Sequence, residues 1–219
     1  MRAIGWIVFG GLLLISGQVA AADLVVQVSD SDGRPVADAV VTLAPQGGAP
    51  VRASASAAPS SQPLIIDQRN ETFIPYVQIV PLGGEVAFRN SDLTRHHVYS
   101  FSPVRAFEFM LAPGEQSASV RFERTGVVAV GCNIHDQMVA YLYVTDVPWF
   151  ALTDKDGRAT FSGVPEAAYE MQTWHPRLRP GRPGPIQPVT LTPGSRRLEV
   201  SVALLHQENH MMDHERERY

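Results

Sequence analysis

From Asp23 to about Val202 the chain is written in short runs that alternate apolar and polar side chains and stop at Gly, Pro, Asn or Asp. "DLVVQVSD" alternates, "DGRP" turns, and "ADAVVTLAP" alternates again; "GEVAFRNSD", "SASVRFERTG", "VVAVG" and "MVAYLYV" repeat the style. Alternation places every second side chain on one face of a pleated strand. No mature segment before the C-terminal tail carries a sustained period of 3.6, so the expected class is all-β, a sandwich or barrel.

The alternating region is framed by segments of other character. Residues 1–22, with Arg2, the apolar run Ile4–Ile15 and Ala20-Ala21-Ala22, read as a secretory leader cut after Ala22. The run is short for a membrane span of about 20 residues, and none is expected after cleavage. Residues 45–63 are rich in Ala, Ser, Pro and Gly with almost no bulky apolar side chains, and read as a flexible linker. The tail 206–219 holds His206, His210 and His214 with Met211 and Met212; it reads as a frayed polar end, with metal binding as the rival. His175, in "TWHP", reads as a structural loop histidine beside Trp174. All the basic residues but Lys155 are Arg, they are scattered, and the net charge is −4. A nucleic-acid partner is therefore not expected.

An exported chain uses cysteines in pairs, yet Cys132 stands alone in "GCNIHDQMVAYLYV". His135 and Met138 follow at steps of three, and "FRNSDLTRHHV" puts His96 and His97 at the start of an upstream strand. A thiolate, two imidazoles and a weak thioether are the donors of a trigonal type 1 (blue) copper site, soft enough for Cu(I) and basic enough for Cu(II). Three other readings use the same thiol. It could be an inert core residue, a nucleophile activated by His135, or a zinc ligand, although zinc has little use for a thioether. Met138 could equally be core.

With these residues in place, 64–146 resembles a cupredoxin with the short "C-x-x-H-x-x-M" loop of amicyanin and plastocyanin-like proteins. "FIPYVQIVPLGGEVAFRNSD" resembles the strands leading to the first copper histidine, and "LAPGEQSASVRFERTGVVAVGC" those leading to the cysteine. The whole is similar to periplasmic cupredoxin-like proteins often labelled methylamine utilization proteins. The resemblance implies metal ligands His96, Cys132, His135 and Met138. It aligns His96 with the upstream ligand and puts His97 where an asparagine usually braces the cysteine loop, so His97 stays a rival ligand. It also implies His135 as the exposed edge for electron passage.

The flanks, "VSDSDGRPVADAVVTL" and "LTDKDGRATFSGVPEAAYEMQTW", resemble the opening and closing strands of the carboxypeptidase regulatory-like β-sandwich. Neither half offers strands enough for a closed core. The expected architecture is a Greek-key cupredoxin sandwich (64–146) inserted in or packed beside a second small sandwich built from 23–63 and 147–205. The expected role is non-enzymatic: one-electron transfer in the periplasm between redox partners such as c-type cytochromes or a dehydrogenase. The alternative is copper binding or delivery without electron carriage.

Overall fold

The computed structural model describes residues 21–47, 60–181, 183–192 and 194–205. The first 20 residues of the expected leader, most of the expected linker and the His/Met tail lie outside that range. Ala21 and Ala22, the last two residues of the expected leader, open the first strand. The described residues are all-β: 16 strands in four sheets, with no helix. None of them forms a helix long and apolar enough to cross a membrane.

Strands β1 (Ala21–Asp30), β2 (Val40–Pro45), β12 (Trp149–Leu152), β13 (Arg158–Pro165), β14 (Ala168–Trp174), β15 (Ile186–Thr190) and β16 (Gly194–Val202) come from the two ends of the chain. They form two sheets, ordered β13-β1-β16 and β12-β2-β14-β15. Alternation does its work along β1: Ala22, Leu24, Val26 and Val28 are buried. They share one core with Leu43 from the first flank and Phe161, Tyr169, Met171 and Val200 from the second. The "DGR" turns are built alike. Asp30 Oδ1 accepts the amides of Asp32 and Arg34, and Asp154 Oδ1 accepts those of Asp156 and Arg158. Gly33 and Gly157 supply the positive φ these turns require, 80° and 74°.

Between them the chain forms β3 (Leu64–Gln68), β4 (Phe73–Ile74), β5 (Val77–Pro81), β6 (Glu85–Asn90), β7 (His96–Ser100), β8 (Phe107–Leu111), β9 (Val120–Arg121), β10 (Gly126–Cys132) and β11 (Val139–Thr145). Their sheets, β4-β3-β6-β9 and β5-β11-β10-β7-β8, enclose a separate core around Ile66, Phe88, Val98, Phe122, Val130 and Leu142. The two sandwiches meet across a smaller apolar seam. There Val40, Val77 and Ile79 pack with Tyr141, Tyr143, Phe150 and Trp174, and the Tyr143 and Trp174 rings stand 5.2 Å apart.

A polar clamp ties β3 to β6 near the end of this pair. Asp67 accepts from Arg89 (2.9 Å), Arg69 (3.1 Å) and the Ser91 hydroxyl (2.7 Å). The hydrogen bond from Arg89 outweighs burial, and Ser91 and the two guanidinium charges add to it, so the carboxyl is lowered to about 2. A depressed carboxylate contributes stability that is full above the unfolded value near 3.8 and lost as pH falls through about 2. Allowing for solvent screening at this rim, Asp67→Asn should cost about 1–2 kcal/mol at pH 7. Urea unfolding at pH 7 and at pH 2 checks this: the gap between variant and wild type should be largely closed at the lower pH.

Candidate metal centre

Strand β7 decides which of two adjacent histidines turns inward. It pairs with β8 so that His96 lies opposite Leu111 and His97 opposite Met110. Since the side-chain period is two, His96, Val98 and Ser100 face the core, while His97 and Tyr99 face out. His96 is fully buried. His97 instead bonds Glu108 through Nε2 at 2.6 Å on the outer face.

Strand β10 ends at Cys132, which pairs with Val98 of β7 and is buried. The chain then folds back into β11 through a loop fastened by its own backbone. Met138 N–H donates to His135 O (3.0 Å), and Cys132 N–H to Met138 O (3.2 Å). Asn133 N–H donates to the carbonyl of His97 (3.0 Å). This last bond braces the cysteine loop with a main-chain oxygen, so an asparagine side chain at 97 is not needed for it. The structure thereby brings His96, Cys132 and His135 together, one donor atom of each within 4.8 Å of the others. Met138 is buried in the same core cluster as Cys132.

The thiol sulfur lies 3.7 Å from Nδ1 of His96 and 3.9 Å from Nδ1 of His135. Donor atoms at about 2.0–2.3 Å from one ion, arranged in a trigonal plane, stand about 3.5–4 Å apart. The side chains present therefore fit a metal ion. The far nitrogen of each ring strengthens the fit. His96 Nε2 meets Asp92 Oδ2 at 2.8 Å, and His135 Nε2 lies 3.5 Å from Glu71 Oε1. The carboxylate hydrogen-bonded at His96 Nε2 keeps the proton there and leaves that ring's Nδ1 lone pair free to donate.

Sequence reasoning missed both carboxylates. Asp92 stands four residues before His96, in "NSDLTRHH", where an acidic residue in a turn draws no notice. Glu71 is remote in sequence, at the tip of the β3–β4 hairpin. The turn Arg69–Thr72 is closed by reciprocal bonds between Arg69 and Thr72. Its central residues, Asn70 and Glu71, both have left-handed φ, 52° and 55°. Asn tolerates that region; Glu pays about 1–2 kcal/mol there. Asp92 holds the turn by accepting both amides, Asn70 and Glu71. Burial raises the Asp92 carboxyl, but these amides and the His96 ring outweigh it and leave it below the usual carboxylate range. His135 was expected as an exposed edge. Its side chain is 23% exposed, and Glu71 stands beside its outer nitrogen.

No family model matches the chain, and no curated protein does. Solved structures with partial likeness include the copper-containing nitrite reductase of Thermus scotoductus SA-01, at 23% identity and TM-score 0.37, covering 43% of this chain and 27% of that one. Amicyanin from Paracoccus versutus gives 16% identity and TM-score 0.35, over 48% of this chain and 98% of that one. A purple cupredoxin from Nitrosopumilus maritimus gives 21% and 0.34, over 37% and 99%. The chain thus spans about a quarter of the reductase. Likenesses of this size say nothing of activity.

Proposed function

We propose that the chain is a periplasmic type 1 copper protein of the cupredoxin kind, carrying single electrons between redox partners and catalysing no reaction of its own. The observation that supports this best is the convergence of two imidazole Nδ1 atoms on a buried, unpaired thiol. His96, Cys132 and His135 would hold the ion, with Met138 as the weak fourth donor. Bound copper would supply a one-electron couple, Cu(I)/Cu(II).

What the chain contributes is constraint. The inner ligand sits on a strand, backbone bonds fasten the loop, and Asp92 fixes the His96 ring. Ligands held this way move little between oxidation states, so little reorganisation opposes transfer. Burial of Cys132 keeps solvent and other thiols away from the sulfur. The proposed partners are periplasmic redox proteins such as c-type cytochromes or a dehydrogenase, met at the His135 end of the sandwich.

Titration with Cu(II), followed by visible absorption and electron paramagnetic resonance, tests the ligand set. His96→Ala should abolish the thiolate-to-copper absorption. His97→Ala should keep it, since His97 Nε2 pairs with Glu108 on the other face of the strand and not with Cys132. The reverse ranking would move the ligand to His97.

A further inference from the structure

We infer that Glu71, at the tip of the β3–β4 turn, is a positioning residue for His135 and biases the bound metal toward its higher oxidation state. The inference rests on the copper reading above and adds a residue to it. Three observations carry it.

Among the described residues, Glu71 is the one acid within ion-pair distance of His135. Its oxygen lies on the Nε2 side of the ring, opposite the Nδ1 that faces Cys132. Second, Glu71 occupies a left-handed position in a two-residue hairpin turn. Glycine or asparagine fits that position without strain, and a glutamate there has no conformational advantage. Third, the turn is not loose. Asp92 grips both central amides while its Oδ2 also meets His96. One turn thus reaches the outer nitrogens of both imidazoles, His96 through Asp92 and His135 through Glu71. The carboxylate, 3.5 Å from Nε2, puts a negative charge beside the ring, and that charge favours the dication over the monocation.

The backbone strain supplies a clean test, because Glu71→Gly removes the carboxylate while relaxing the turn. Its unfolding midpoint in the metal-free state should equal or exceed that of wild type. In metal-free protein at pH 8, exchange of the His135 Nε2–H with solvent, followed by nitrogen-15 NMR, should quicken about threefold, since the side chain and its charge no longer stand beside it. In copper-loaded protein, the ratio of Cu(II) to Cu(I) affinity should fall about tenfold, which raises the reduction potential by about 59 mV. Glu71→Gln keeps the reach and loses the charge, so it should reproduce the shift in potential with a smaller change in exchange.

If either the proton exchange or the affinity ratio of Glu71→Gly stays within twofold of wild type, Glu71 does not position His135 and the inference is wrong. A wild-type protein that takes up no copper would instead overturn the copper reading, and the metal-free exchange rate would still decide whether Glu71 holds the ring.

Discussion

Cys132→Ser should fold and yet lose the visible colour that Cu(II) should confer on the wild-type protein under the proposed function. Serine preserves the size and shape of a buried side chain in a core of Val98, Val130 and Met138. It replaces a soft, readily deprotonated sulfur by a hard hydroxyl. Thiolate-to-Cu(II) charge transfer is then impossible, and the soft ligand that suits Cu(I) is gone. His96 and His135 should still hold Cu(II) weakly through their Nδ1 atoms. The thermal consequence is large. A metal that binds only the folded state stabilises it by about 4 kcal/mol when free metal exceeds the dissociation constant a thousandfold. Scanning calorimetry with and without Cu(II) should show a marked rise in Tm for wild type and little for the variant. A colourless wild-type complex, or free reaction of Cys132 with a thiol reagent in the copper-loaded protein, would contradict the type 1 reading.

His175 should make the flanking sandwich sensitive to acid. The ring is 5% exposed and sits where the last flank meets the first. Its Nδ1 accepts the Arg177 amide at 3.1 Å, and it also bonds the Ala37 backbone. Burial, then the Arg177 charge, lower its pKa to about 4, against the opposing pull of the Ala37 bond. Protonation would turn an accepting Nδ1 into a donor facing an N–H. The unfolded chain takes up this proton near 6.5 and the folded chain only near 4. Stability from the neutral ring is therefore full above about 6.5 and is lost as pH falls to about 4, for a total of about 3 kcal/mol. Urea unfolding of metal-free protein at pH 7 and pH 4 should show wild type losing about 3 kcal/mol more than His175→Gln. The glutamine variant can both donate and accept but does not titrate. Equal losses in the two proteins would show that the ring is not held neutral.

The class of this fold was legible because strand alternation is a local property. "DLVVQVSD" buries Leu24, Val26 and Val28 as its period of two requires. The nearness of Cys132 to His135 was legible for the same reason, since they stand three residues apart in one loop. Other features depended on distant pairing. Strand β1 lies between β13 and the parallel β16, almost the whole described chain away, and no local pattern announces such a partner.

The sequence by itself therefore determined the strands, the turns and the nearness of Cys132 to His135, because each depends on residues within a few positions of one another. Only the tertiary structure decided that His96 and not His97 faces Cys132. That choice hangs on the one-residue register of β7 against β8, and a slip would exchange the two faces. It alone brought Glu71 to the outer nitrogen of His135. That contact joins a hairpin tip to the loop after Cys132, and packing of the two sheets, not sequence spacing, sets the distance between them.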